Sequence, residues 1–159
     1  MKAVQWMAAL AAVSLSLPGP AWAGANDPEV IIYRFTGVRD DGGGMGIGLI
    51  TVFDCTNFSG TSESLRFVTR DGNTVLKSNV PVPGVTHLQT VAVVTHDPAN
   101  FFSQVNLNTG LVKQGTTAIA ATSTSIICGA RLFDATGSNP SGGYPLRGIR
   151  FNPIPGSQE

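Results

Sequence analysis

Histidine is the side chain most often used as a general base near neutral pH, and this sequence contains two, His87 and His96. They bracket a run of strand-type residues, 88–95, so on a continuous strand they point to opposite faces and lie roughly 30 Å apart. That separation excludes a shared metal ion. Asp97 follows His96 and could orient its imidazole, but adjacent side chains rarely face one another and no nucleophile motif accompanies them. We therefore predict that both histidines are surface or hydrogen-bonding residues.

Four aspartates, Asp40, Asp41, Asp54 and Asp134, are candidates for a carboxylate pair of the kind that hydrolyses glycosides. No spacing in the sequence selects any two of them. The serine-containing segment 60–64 lacks the closing glycine of a nucleophile elbow and its strand-to-helix setting. These observations predict a protein that is not an enzyme and that has no catalytic residue, metal ion or cofactor.

The glycine-rich segment 40–48 also invites a chemical interpretation. It contains no G-x-G-x-x-G pattern, no Gly-Lys-Ser/Thr follows it, and it leads into a strand, which together exclude a phosphate-binding loop. Its two acids are adjacent rather than alternating, which excludes a calcium loop. We expect a flexible loop whose glycines allow close approach of the backbone, and which could form the rim of a ligand site.

Two cysteines, Cys55 and Cys128, each lie on an apolar run of strand type. An even count in an exported protein favours a disulfide, which would stabilise the fold by at most roughly 4 kcal/mol through closure of so long a loop. Two free buried thiols, or half of a metal site, are the alternatives. A metal site would need further soft ligands, and both histidines are distant in sequence.

Export is predicted by residues 1–23, which contain Lys2, an apolar run from Ala3 to Leu17, and small residues before the bond that follows Ala23. The run is shorter than the roughly 20 residues of a membrane span. We expect cleavage after Ala23, no transmembrane segment thereafter, and a secreted or periplasmic bacterial protein. Residues 24–159 should form a single domain that ends in a Pro/Gly-rich tail.

Charge is sparse and balanced. Charged residues make up 13% of the 159 residues, against about 25% in average domains. Removal of Lys2 leaves nine bases against ten acids. A protein that holds nucleic acid needs a basic stripe, so the composition predicts no nucleic-acid partner.

The elements that must position these residues are β-strands, because short β-branched and aromatic runs alternate with Gly, Pro, Asn, Asp and Ser. Residues 65–70 alternate strictly, with two arginines and Val68 on one face and Leu65, Phe67 and Thr69 on the other. The predicted strands are Val30–Phe35, Gly46–Cys55, Ser64–Arg70, Thr74–Val80, His87–Thr95, Ser103–Leu107, Thr116–Thr122, Ser125–Asp134 and Pro145–Phe151. The fold class is therefore all-β: one antiparallel β-sandwich of eight or nine short strands with one disulfide.

The residues typical of turns predict the connections between the strands. Asp71-Gly72-Asn73 predicts a tight hairpin, and 98–102 a helical turn with Asp97 as its cap and Pro98 at its first position. Segments 80–86 and 136–143 contain too much Pro and Gly to be strands.

Phenylalanines are expected in the core, whereas Tyr33 and Tyr144 remain available to stack on sugars. Asn57-Phe58-Ser59 matches a glycosylation sequon, a triplet that often occurs by chance.

Three stretches, 53–59, 127–130 and 149–156, resemble a family of uncharacterised small exported bacterial proteins. The Cys-Thr-Asn-hydrophobic-Ser motif at 55–59, followed by alternating strands, is also similar to the small β-sandwich of the sensory rhodopsin transducer group. The first resemblance implies export and the second implies architecture. Neither carries a site residue or an activity.

The function that we expect is a non-enzymatic one, exerted through surface contacts by an envelope, adhesive or assembly component. Its partner would be a second copy of the chain or a component of the cell envelope. The alternative is a module that binds a small molecule or a glycan with loops at one end of the sandwich, namely Gly42–Gly48, Asn57–Ser64 and Ser138–Tyr144.

Overall fold

Ten β-strands make up the regular structure of residues 29–72, 74–99, 103–136 and 143–151, the part of the chain that the computed structural model describes. The strands are β1 (Val30–Asp40), β2 (Leu49–Asn57), β3 (Glu63–Asp71), β4 (Leu76–Val85), β5 (Thr90–Val94), β6 (Val105–Asn106), β7 (Val112–Ala121), β8 (Ile126–Asp134), β9 (Tyr144–Pro145) and β10 (Gly148–Arg150). The predicted signal peptide, its cleavage point and the predicted C-terminal tail lie outside the described residues. Within those residues, no helix has the length and apolar character needed to cross a membrane.

The strands form two five-stranded sheets. Sheet A has the order β10-β1-β7-β3-β4, and sheet B has the order β6-β5-β2-β8-β9. Every pairing is antiparallel except the short β5–β6 pair, which is parallel. The predicted all-β sandwich is confirmed, although the described residues contain ten strands rather than eight or nine.

The C-terminal segment accounts for part of that difference. The sequence predicts one strand from Pro145 to Phe151, but the chain pairs first with β8 as β9 and then with β1 as β10. The Leu146 amide donates to Ala130 O of sheet B (2.8 Å), and the Thr36 amide of sheet A donates to Arg147 O (3.3 Å). The segment therefore crosses from one sheet to the other and covers an edge of each, which limits pairing with other chains.

The main core lies between the sheets and follows the alternation of the strands. Leu65, Phe67 and Thr69 on β3 are fully buried, whereas Arg70 is exposed and Arg66 is half-buried, as the sequence predicts for this strand. A series of ring contacts crosses the core from Tyr33 through Phe35 and Phe53 to Phe67, with centroid separations of 5.7, 5.8 and 5.7 Å. Tyr33 is thus a core residue and is not available to stack on a sugar, because it is 7% exposed.

Strand β4 corrects the prediction that residues 80–86 cannot be a strand. It continues to Val85 and includes Pro81 and Pro83. β4 pairs only with β3 and forms one edge of sheet A. Proline is tolerated on an edge strand, where half of the backbone groups have no partner, and it blocks pairing with another chain.

The two cysteines are joined in a disulfide. Cys55 on β2 and Cys128 on β8 are direct register partners with Cα atoms 4.1 Å apart, and both side chains are buried in the core. The bond closes a sequence separation of 73 residues. Free thiols and a half metal site are set aside, since the described residues contain no free cysteine.

Two predicted turns fall partly outside the description. Asp71 ends β3 and its amide donates to Val75 O (2.9 Å), which gives a turn before β4, although Asn73 is not described. Of the predicted helical turn, residues 100–102 lie outside the described part of the chain, as do residues 137–142 of the last predicted connection.

Candidate functional site

His96 faces a carboxylate, but from a different residue than its sequence neighbour. Its Nδ1 lies 2.9 Å from both Oδ1 and Oδ2 of Asp40, the last residue of β1. Asp40 is fully buried and His96 is 8% exposed. The sequence identifies both residues as candidates and predicts a hydrogen-bonding histidine. It gives no sign of their pairing, since they are 56 positions apart.

The Asp40 carboxylate has two further donors. The Gly42 amide donates to Oδ1 at 2.7 Å, and the Thr109 hydroxyl donates to Oδ2 at 3.2 Å. Thr109 is itself 5% exposed. A buried carboxylate needs such donors, because desolvation without them is costly.

Threonines extend this buried polar cluster and join the two sheets. The Thr51 hydroxyl of β2 accepts from the Arg39 amide (3.0 Å) and donates to Arg39 O (2.8 Å), so it pairs with β1 as a strand would. The Thr51 amide in turn donates to the Thr95 hydroxyl (3.0 Å). Thr51 and Thr95 are both fully buried.

The remaining ring nitrogen of His96 determines what this pair can do. Nε2 lies 3.1 Å from Ile47 O in the glycine-rich loop. Both nitrogens therefore face acceptors, and only a doubly protonated imidazole donates to both at once. A general base must present an acceptor nitrogen to its substrate. In this arrangement Nε2 is occupied by the backbone, so His96 and Asp40 hold the loop in place.

The loop between β1 and β2 is attached at further points. The Gly46 amide donates to Asp97 O (2.8 Å), and the Leu49 amide donates to Asp41 Oδ2 (3.1 Å). A Cβ placed on Gly46 would lie 2.5 Å from Ala99 Cβ, and Gly46 has φ +74°. The predicted close approach of the backbone at these glycines is confirmed.

His87 lies in a turn before β5 and His96 lies after β5, which runs only from Thr90 to Val94, so the predicted continuous strand 88–95 is shorter than expected. The Nδ1 of His87 accepts from the Gly60 amide (3.1 Å), and its side chain is in an exposed turn. Among the described residues, no group of three or more His, Cys, Asp or Glu side chains is placed to bind a metal ion.

The four candidate aspartates do not form a carboxylate pair of the proposed kind, because each is engaged separately. Asp40 binds His96, and Asp41 binds the Leu49 amide. Asp54 pairs with Arg131 across β2 and β8 (2.9 Å). Asp134 accepts from the Thr136 hydroxyl (2.7 Å) and amide (3.0 Å), which lower the pKa of its carboxyl.

The loops proposed for ligand binding do not meet at one end. Residues 42–48 precede β2 and residues 58–62 follow it, so nine strand residues separate them. Asn57, the acceptor of the sequon, is fully buried, and its Nδ2 donates to Thr61 O and Val85 O, both at 2.8 Å. The amide that glycosylation would modify is therefore inside the fold. Most of the third loop lies outside the described residues.

Glu63, at the start of β3, is hydrogen-bonded by several hydroxyl groups. Hydrogen bonds from Thr122, then Ser59 and Thr61, lower the pKa of its carboxyl from the ordinary 4.5. Asp71, at the other end of β3, has a pKa lowered by the Gly72 amide first and then by the Gln114 amide. Both carboxylates are fixed to the ends of the sheet rather than free.

The outer face of sheet A presents a different kind of surface. The central strand β7 places Thr116, Ala118 and Ala120 on this face. On one side, β1 places Thr36, Arg34 and Ile31 opposite them, and on the other side β3 places Arg70, Val68 and Arg66. Small side chains along the middle strand and long ones on both flanks form a trough, about 10 Å wide between the flanking strands. We call this feature the β7 trough.

Positive charge predominates along the β7 trough. Arg34 and Arg70 are exposed, and the Arg34 guanidinium lies 5.7 Å from the Phe151 ring centroid, which limits its orientations. Arg66 contacts Glu29 through Nε (2.5 Å) and Nη2 (3.4 Å). Because Glu29 precedes β1 and Arg66 is on β3, this ion pair spans the trough at its Ala120 end.

The sequence predicts only part of this surface. Strict alternation in 65–70 places Arg66 and Arg70 on one exposed face. The contribution of Arg34 and the small side chains of β7 depends on strand order, which periodicity does not encode.

Comparisons with protein families, with curated proteins and with solved structures found no match to this chain.

Proposed function

We propose that this protein is an exported, non-enzymatic β-sandwich that acts through surface contacts, as an envelope, adhesive or assembly component. The observation that carries the proposal is the β7 trough, an exposed sheet face with Arg34 and Arg70 on either side of small residues. A sheet face that presents exposed guanidinium groups is suited to the recognition of acidic groups rather than to bond making.

The arrangement of His96 and Asp40 supports the non-enzymatic part. The Nε2 atom that would accept a proton from a substrate is 3.1 Å from Ile47 O. The disulfide between Cys55 and Cys128 is compatible with export, because such bonds persist in oxidising compartments.

The edges of the two sheets are poorly suited to pairing with another chain, which favours a sheet face as the contact surface. β4 contains Pro81 and Pro83, and β6, β9 and β10 are two or three residues long. Short or proline-containing edges pair poorly with another chain. Assembly through strand pairing between copies is therefore less favoured than contact through a sheet face.

The test is to mix the exported protein with isolated cell envelopes of the producing bacterium and to measure co-sedimentation. Size-exclusion chromatography with light scattering gives the oligomeric state of the same sample. We expect saturable binding to the envelope, self-association, or both. A strictly monomeric protein that leaves every envelope fraction unbound would overturn the proposal.

A further inference from the structure

We propose that the β7 trough binds an extended acidic polysaccharide, with carboxylates of the sugar chain paired to Arg34 and Arg70. This inference rests on the proposed function and specifies the partner of that surface.

The charge of the trough favours an acidic partner. Among the described residues, the strand positions that face outward along the trough include Arg34, Arg66 and Arg70, and Glu29 pairs with Arg66. Guanidinium groups match carboxylates in shape and charge and bind them through two parallel hydrogen bonds. A partner with regularly spaced carboxylates complements this surface.

The molecule already places a carboxylate in the trough. Both oxygens of Glu29 contact the Arg66 guanidinium, through Nε at 2.5 Å and Nη2 at 3.4 Å, and the Glu29 side chain is 12% exposed. This contact occupies the Ala120 end. The Thr116 and Ala118 end lies between the exposed Arg34 and Arg70 side chains. Arg70 Nη1 donates to Thr74 O (2.9 Å), and the other N–H groups of the two guanidinium groups offer the same chemistry to an external acid.

The floor of the trough favours a sugar chain over a peptide. An extended peptide gains most of its affinity by pairing its backbone with a free strand edge. The floor of the trough is the central strand β7, which is paired on one side with β1 and on the other with β3. Among the described residues, the groups that face the trough there belong to side chains: guanidinium groups and the hydroxyls of Thr36 and Thr116. These groups match the carboxylates and hydroxyls of a uronic acid polymer.

The test uses polygalacturonate as the probe, with neutral dextran and poly-glutamate as comparison polymers, and measures affinity by calorimetry. The variant R34Q/R70Q removes both guanidinium groups from exposed positions. We expect it to bind polygalacturonate roughly a hundredfold more weakly than the parent protein, about tenfold for each lost charge-assisted contact. Binding by the parent should also weaken as salt rises to about 0.5 M, because exposed charges are screened.

The control is R39Q/K113Q, which removes the same charge from exposed residues of β1 and β7 that lie beyond the Thr36–Thr116 pair, where the rows of the trough end. It should bind polygalacturonate like the parent. A third variant, A118E, places a carboxylate on the trough floor and should abolish binding. Far-UV circular dichroism and the unfolding midpoint establish that each variant is folded.

Equal affinities for R34Q/R70Q and R39Q/K113Q would overturn the inference, and so would equal binding of dextran. Poly-glutamate that binds as tightly as polygalacturonate and competes with it would mean that the partner is an acidic peptide, and the sugar assignment would be wrong. A parent protein that binds envelopes but ignores polygalacturonate refutes this inference alone. A parent protein that neither binds envelopes nor self-associates refutes the proposed function as well.

Discussion

Replacing His96 with alanine tests whether the buried pair with Asp40 holds the end of the sandwich together. The change removes the imidazole that lies 2.9 Å from both carboxylate oxygens, while Asp40 stays fully buried. Among the described residues, the Gly42 amide and the Thr109 hydroxyl would then remain as donors to it. The loop would also lose its contact between Nε2 and Ile47 O.

The expected loss follows from these contacts. Leaving a buried polar group without one of its hydrogen-bond partners costs about 1–3 kcal/mol, and Asp40 loses one of its donors here. For a domain of this size that corresponds to a decrease of roughly 3–15 °C in the unfolding midpoint. We therefore expect H96A to unfold at a clearly lower urea concentration than the parent, with little change in the slope of the transition.

His87 provides the matched control, since it is the other histidine of the chain and is exposed. H87A removes one acceptor for the Gly60 amide and should change stability by no more than about 1 kcal/mol. Combining H96A with D40N removes the buried carboxylate as well. The double variant should be more stable than the sum of the single effects predicts, by about 1 kcal/mol or more.

Two results would refute the reasoning about His96. One is a loss below about 1 kcal/mol for H96A, similar to that for H87A. The other is additivity of H96A and D40N, which would mean that the two side chains are not energetically coupled.

Three other substitutions test the glycine-rich loop, the disulfide and the loss of stability at acidic pH. G46A should destabilise the fold by about 2 kcal/mol or more, because a Cβ at Gly46 would lie 2.5 Å from Ala99 Cβ and the residue has φ +74°. G44A should be nearly neutral, because open space surrounds Gly44. Equal urea midpoints for the two variants would contradict the close approach at Gly46. Replacing Cys55 and Cys128 together by alanine should cost at least about 2 kcal/mol of unfolding free energy, and an unchanged midpoint would mean that the bond does not constrain the chain. Hydrogen bonds, first of all from a threonine hydroxyl, lower the pKa of Glu63 in the folded state. The ionised carboxyl therefore stabilises the fold fully above its ordinary pKa of 4.5, and this stabilisation is lost as pH falls through the lower pKa of the folded state. E63Q should therefore lose less stability than the parent between about pH 5 and pH 2, and identical acid limbs in urea titrations would refute this assignment.

The fold class could be predicted from the sequence because strands are encoded by a local alternation of buried and exposed residues. Alternation in 65–70 places Leu65, Phe67 and Thr69 inside, and the structure has all three fully buried. The errors arise where local preference yields to position in the sheet. Pro81 and Pro83 break most strands, but β4 is an edge strand and tolerates them.

The candidate site was harder to predict because it depends on contacts that are distant in sequence. His96 and Asp40 are both conspicuous in the sequence, yet only the order of strands brings β1 and the residue after β5 together. Arg34 and Arg70 meet across β7 for the same reason. Periodicity assigns a side chain to a face, and sheet order decides which side chains share it.

The exposed face of sheet A is the surface on which the proposed function depends. The most direct measurement compares the parent, R34Q/R70Q and R39Q/K113Q for binding to isolated envelopes of the source organism at equal protein concentration. We predict that R34Q/R70Q stays in the supernatant while R39Q/K113Q sediments with the envelopes like the parent. Equal sedimentation of the two folded variants would contradict the assignment of function to this face.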